Sequence, residues 1–144
     1  MQKFSDGPII YVNDDDDDHF LFREIVTGLG YATMIRPFWD GEDALKYLRD
    51  TSEKPLLVLC DISMPRMSGL ELRKQIDQSE YLRQKAIPFV FFTTEASPVV
   101  VKQAYEGTIQ GFHTKEVLIE EYKQQIQLIV TYWQTCRHPG NLTW

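Results

Sequence analysis

Cysteine is scarce in this 144-residue chain: Cys60 and Cys136 are the two, and neither has a CxxC partner. That excludes the usual zinc cage and a disulfide framework. Cys60 sits inside an apolar run and reads as a small core residue. Long hydrophobic stretches are missing too. None approaches the roughly 18 residues of a membrane span, and the start, Met1 to Gly7, lacks the apolar core of a secretory signal. A cytoplasmic protein is therefore expected. Basic residues fall short of acidic ones, 15 Lys and Arg against 21 Asp and Glu, for a net charge of −6. Such a balance is against non-specific nucleic-acid binding and against an anionic membrane surface. Part of the acidity is one run, Asp14 to Asp18. His19 and His113 have no paired ligand spacing, so surface or core roles are expected for both. No repeat or low-complexity linker divides the chain. Its length suits one domain, over residues 8–136, with short extensions at 1–7 and 137–144.

What is present alternates. Continuous apolar runs near 8–13, 56–61 and 88–93 predict strands buried on both faces, and two further strands are expected near 32–37 and 110–114. Pro37 marks the second as an edge strand or its end. Between them lie helical patterns near 17–29, 41–50, from Ser68 onward, 98–107 and 117–135. Phe22, Ile25, Val26 and Leu29 make one apolar stripe on the first helix, and Asp16, Asp17 and Asp18 suit the positive end of its dipole. Asp40 and Ser97-Pro98 read as helix starts. Trp133 falls on the apolar stripe of the last helix; Tyr132 and Trp144 do not, and are candidates for a partner contact. Five β-α units in this order predict an α/β fold, a parallel five-stranded sheet covered on both faces.

Polar residues fall where these strands end. Asp61 follows Leu56–Cys60 and opens a loop punctuated by Pro65 and Gly69; Asn13-Asp14 follows Ile9–Val12; Thr93 follows Phe89–Phe92; Lys115 follows Gly111–Thr114. The carboxyl ends of the strands in an open α/β sheet are where sites lie. Two carboxylates, a hydroxyl and an ammonium gathered there would suit a divalent metal and a phosphoryl group.

These motifs, Val12-Asn13-Asp14, Asp61 with Met64-Pro65 and Gly69, Thr93-Thr94-Glu95, and Gly111-Phe112 with Lys115, resemble the receiver domain of two-component response regulators, in order and over nearly the whole chain. The likeness is to the stand-alone, chemotaxis-regulator-like group, whose fold is flavodoxin-like, a doubly wound (βα)5 unit. The resemblance implies that Asp61 is the phosphoacceptor, taking a phosphoryl group from a histidine kinase or a phosphotransfer protein. It implies Mg²⁺ held by Asp14, Asp61, the backbone carbonyl of Ser63 and, through water, Asn13. Thr93 and Lys115 would bind the phosphoryl oxygens, and Phe112 would be the switch aromatic. Ser63, Thr94 and Glu95 would tune dephosphorylation. Output to a downstream protein is expected through the face of the fourth helix, fifth strand and fifth helix, which could also serve a homodimer.

Four positions depart from the family pattern. Asn13 replaces an acid and should weaken Mg²⁺ binding without abolishing it. Thr94 stands where a smaller residue is common and would slow attacking water. Glu116 stands where a proline, often cis, follows the lysine, so the loop there departs from the family's. Phe112 lacks the hydroxyl of a tyrosine. Asp16 to Asp18 read as a solvated helix start, and Asp15 as either a helper acid near the metal or a cap. The switch expected is Thr93 drawn to the phosphate, opening space for Phe112 to turn inward. The other readings are a phosphorylation-independent pseudo-receiver acting as an interaction module and, with Ser63 where a hydrolase would need an acid, a metal-dependent phosphatase. Because no external metabolite is turned over, the chain reads as a signalling protein rather than an enzyme.

Overall fold

The computed structural model describes residues 7–31 and 35–137. Positions 32–34 of the expected second strand, the extensions at 1–6 and 138–144, and Trp144 with them lie outside the described residues. Five strands, β1 (Ile9–Val12), β2 (Ile35–Phe38), β3 (Leu57–Cys60), β4 (Phe89–Thr93) and β5 (Gly111–Thr114), form one sheet in the order β2-β1-β3-β4-β5. Every pairing is parallel. The helices are α1 (Asp16–Gly28), α2 (Gly41–Asp50), α3 (Gly69–Gln78), α4 (Glu80–Lys85), α5 (Pro98–Glu106) and α6 (Ile119–Thr135). Strand order reverses direction between β1 and β3, and a crevice opens at such a switch point.

Burial follows from the pleat. Residues of the three central strands are buried throughout, while β2 and β5, at the edges, are half-buried. Pro37 lies on β2, where its missing N–H interrupts no inner ladder. Alternate strand residues point to opposite faces. Ile9, Tyr11, Leu57, Leu59, Val90 and Phe92 pack under α1 and α6; Ile10, Val12, Val58, Cys60, Phe89 and Phe91 pack under α2 to α5. Each fully buried Leu, Ile or Phe stabilises the fold by about 1.5–3 kcal/mol, so these two layers carry most of the stability. Trp133 is half-buried against the first layer, as its stripe position requires.

Helix starts are capped where the sequence offers an acceptor. The side chains of Asp15, Asp40, Ser68, Ser79 and Ser97 each accept a backbone N–H in the first turn of α1 to α5. The third helical pattern is broken at Ser79, whose extended backbone (ψ 114°) ends α3 and whose hydroxyl caps α4. That short helix, which buries Leu82, is not marked in the sequence by Gly or Pro. Among the described residues no helix is long and apolar enough to cross a membrane.

Candidate functional site

Asp61 leaves β3 at the centre of the sheet. Its amide donates to the Val12 carbonyl at 2.9 Å, which sets the end of β3 beside the end of β1 and hence beside Asn13-Asp14. Its carboxylate Oδ1 accepts from the Ile62 amide at 2.7 Å and from the Thr93 hydroxyl at 2.6 Å. Thr93 is the last residue of β4, 1% exposed, so this hydroxyl cannot turn to water. Thr93 Oγ1 also accepts from the Glu95 amide at 3.2 Å. The glutamate side chain of Glu95 in turn receives the Ser63 hydroxyl, which joins the loop after β3 to the loop after β4. The three residues expected to tune dephosphorylation therefore sit on these two loops, with Ser63 and Glu95 in contact and Thr94 exposed.

The loop that follows Asp61 folds back on itself. Gly69 donates its amide to the Ile62 carbonyl at 2.8 Å, and a Cβ on Gly69 would lie 2.1 Å from the Asp61 carbonyl oxygen. No side chain fits there. Arg66 occupies the left-handed region (φ 65°), which L-residues seldom adopt, and its guanidinium holds Asp40 and, at 3.7 Å, Glu42 at the start of α2. Burial alone would raise the Asp40 carboxyl, but the Asp43 amide and the Arg66 guanidinium outweigh it and hold it below the usual carboxylate range. This latch was not foreseen; a positive φ at an arginine leaves no trace in sequence.

The other half of the site is arranged differently. Lys115 hangs from the end of β5, its amide bonded to the Thr93 carbonyl at 2.9 Å. Its ammonium, on a side chain 7% exposed, pairs with Asp18 Oδ2 at 3.1 Å and lies 5.6 Å from the centre of the Phe92 ring. Among the described residues it forms its ion pair with Asp18 and none with Asp61. Asn13, 1% exposed, accepts the Asp15 amide on Oδ1 at 2.8 Å and donates from Nδ2 to Asp18 Oδ2 at 3.2 Å. The run Asp15–Asp18 thus divides. Asp15 is the N-cap of α1, Asp16 accepts the Trp39 indole at 2.7 Å, and Asp18 belongs to the site rather than to a solvated helix face. A signal for Asp18 was present: it precedes Phe22 by four residues and so starts the apolar stripe of α1.

His19 is buried, stacked on Trp39 at 3.9 Å, with Nε2 2.7 Å from the Asn13 carbonyl; burial holds the imidazole below its ordinary pKa. It is a core histidine. Phe112 is half-buried, its ring 5.9 Å from that of Phe91. The Lys115–Glu116 bond is trans and the Glu116 amide donates to Gln125 of α6 at 3.1 Å.

The carboxylates that follow β1 and β3 at this end of the sheet are Asp14, which is exposed, and Asp61. Both described hydrogen bonds to the Asp61 side chain land on Oδ1. Among the described residues no group of three or more His, Cys, Asp and Glu closes into a metal cage. Such an open, all-oxygen set fits a hard cation that keeps several waters.

Residues 9–127 match the response regulator receiver domain. The chain belongs to that family. Among its relatives, the probable methanogenesis regulatory protein FilR2 of Methanothrix harundinacea is 33% identical over 129 residues, 87% of this chain and 82% of that one. Among solved structures, the phosphorylated cyanobacterial phytochrome response regulator RcpA superposes with a TM-score of 0.82 at 22% identity, covering 93% of this chain and 98% of that one. The Mn²⁺-bound response regulator Rcp1 does so with a TM-score of 0.78 at 25% identity, over 96% and 99%. The receiver-domain fold, a flavodoxin-like parallel sheet, is thereby established for this chain, and receiver domains are signalling units rather than metabolic enzymes.

Proposed function

We propose that this receiver domain accepts a phosphoryl group on Asp61 from the phosphohistidine of a histidine kinase or phosphotransfer protein, and that the acyl phosphate changes binding to a downstream protein. The observation that carries this reading is the Thr93 hydroxyl, buried and 2.6 Å from the Asp61 carboxylate. A charge-assisted donor fixed beside a nucleophilic carboxylate is what in-line transfer needs, since positioning and charge neutralisation do most of the work. In the transfer, a carboxylate oxygen of Asp61 attacks phosphorus; the P–O bond forms as the P–N bond breaks, and the bonding pair stays on the imidazole.

Asp14, Asp61 and the Ser63 carbonyl would hold Mg²⁺, with Asn13 reached through water, and the ion would neutralise phosphoryl charge. The Mn²⁺-bound Rcp1 structure, a relative at 25% identity, supports a divalent cation here. Lys115 would bind a phosphoryl oxygen. Ser63, Thr94 and Glu95 would govern access of hydrolytic water, with the Ser63–Glu95 contact as the barrier to be opened. The output face is α5–β5–α6, where Tyr105, Leu128 and Tyr132 are exposed and where a second copy could also dock. Phe112, on β5, is half-buried and packs against the core layer that holds Phe91.

The expected switch is refined in one respect. The Thr93 hydroxyl donates to the Asp61 carboxylate at 2.6 Å, so phosphorylation would hand it from a carboxylate oxygen to a phosphoryl oxygen. The differential contact lies in what the phosphoryl adds to Thr93 and Lys115.

Intact-protein mass after acetyl phosphate and Mg²⁺ tests the proposal. One phosphoryl adduct is expected on the wild type and none on Asp61→Ala. A wild type that gains no adduct and binds no beryllofluoride would instead favour the phosphorylation-independent module.

A further inference from the structure

Asn13 and Asp18 explain each other. Where receivers commonly carry an acid, this chain has an amide, and an amide can do what a carboxylate there could not. Its Oδ1 accepts the Asp15 amide while its Nδ2 donates to Asp18 Oδ2 at 3.2 Å. The Asp15 N–H fixes which end of the amide faces the carboxylate. Asp18 Oδ2 then meets Lys115 Nζ at 3.1 Å, from the N-terminal turn of α1 to the end of β5. A lysine side chain only 7% exposed requires a counter-charge, and Asp18 supplies it. The negative charge absent at position 13 is supplied five residues further along the chain, on the inward stripe of α1.

The geometry points to Asp18 as a positioning residue that holds Lys115 and competes with the phosphoryl group for it. This rests on the reading of Asp61 as phosphoacceptor. Lys115 is tied to Asp18 and not to Asp61 among the described residues, so a phosphoryl oxygen that draws the ammonium toward Asp61 works against that pair. The Asp18–Lys115 contact therefore opposes phosphorylation and sets how readily the site is charged. Asn13 takes part by keeping Asp18 aimed inward. The same departure that removes an acid from beside the metal thus adds a restraint on the lysine.

The test is a double-mutant cycle on beryllofluoride affinity at saturating Mg²⁺, read by ¹⁹F NMR, with Asp18→Asn, Lys115→Met, the double variant, and Asp17→Asn as a neighbouring-charge control. Asp18→Asn is expected to tighten beryllofluoride about threefold or more, in line with release of a partly buried ion pair. On the Lys115→Met background the same substitution should have no effect, and Asp17→Asn should leave the affinity within error of wild type. An Asp18→Asn change that is absent, is a weakening, is equal on both backgrounds, or is matched by Asp17→Asn overturns the assignment. If the wild type binds beryllofluoride and only the Asp18 effect fails, the phosphoacceptor reading stands; if the wild type binds none, both fall together.

Discussion

The two sides of the strand-end crevice are built on different terms. On one, Asp61 is held by the main chain around it and by one buried side chain: the carboxylate takes an amide and the Thr93 hydroxyl on one oxygen, and the Gly69 amide locks the loop beneath it. On the other, Asn13, Asp18 and Lys115 hold one another through side chains alone, across 97 residues of sequence between the acid and the lysine. The first side is preorganised, and phosphate changes only the acceptor of the Thr93 hydroxyl. The second must exchange a partner. A nucleophile that must be placed to a fraction of an ångström is held by main chain, whereas a charge that must travel is held by a pair that can open.

Gly69→Ala breaks the first side most severely short of removing Asp61. A Cβ would sit 2.1 Å from the Asp61 carbonyl oxygen and 2.9 Å from the Phe91 ring, neither of which is a flexible end. A loss of about 2–3 kcal/mol in unfolding free energy is expected from overpacking of this kind, read by urea denaturation, with slower adduct formation because Asp61 moves with its backbone. Gly28, which has open space where its Cβ would be, is the contrast: Gly28→Ala should not destabilise.

Thr93→Val keeps the shape and removes the hydroxyl. The phosphoryl mimic then loses the Thr93 donor, and a charge-assisted hydrogen bond of this class is worth about 1.5 kcal/mol or more. Beryllofluoride affinity should fall about tenfold and Thr93→Ser should restore most of it. Equal affinities for the Val and Ser variants would mean that the hydroxyl has no part in holding the phosphoryl mimic.

The first side is also the one legible in sequence, for the same reason that it is rigid. Asp61 and Thr93 end continuous apolar runs, and a buried strand leaves little freedom in where its last residue points. The central strands were legible on that ground, and Pro37 marked the edge. The second side depends on a contact between α1 and β5 that no local pattern encodes. Asp18 looks like its acidic neighbours until it is placed on the stripe with Phe22 and Ile25. The break at Ser79 was hidden similarly, since a serine caps a helix only if the chain before it turns away, and that turn is set by Leu82 reaching the core. The Arg66–Asp40 latch depends on a left-handed arginine that the tight return to Gly69 imposes.

Asn13→Asp sharpens the comparison from the second side. A carboxylate at position 13 would face Asp18 at about the present 3.2 Å separation, without the amide donor that now satisfies it. Like charges so placed, partly shielded from water, should cost about 1 kcal/mol in metal-free buffer. The added acid should also strengthen Mg²⁺ binding, so the thermal midpoint should be lower than wild type without Mg²⁺ and rise further than wild type on its addition. A variant as stable as wild type without the ion would show that the amide is not what aims Asp18.

The smallest effect belongs to Asp40, which ties the Asp61 loop to α2 without touching Lys115. Its carboxyl is held below the usual range when folded, so the folded chain prefers the ion. The stabilisation is then present above the unfolded carboxylate value of about 4 and is lost as pH falls through the lower folded value. Asp40→Asn keeps an efficient helix cap and removes only the charge facing Arg66. Acid unfolding followed by circular dichroism should show wild type losing stability more steeply than the variant below about pH 4, while the two differ little in beryllofluoride affinity at neutral pH. Parallel acid limbs would mean that the carboxyl titrates alike in both states and that the Arg66 contact is too solvated to matter. A neutral-pH affinity that collapses would carry the opposite lesson, that the loop beneath Asp61 depends on side chains as much as the lysine does.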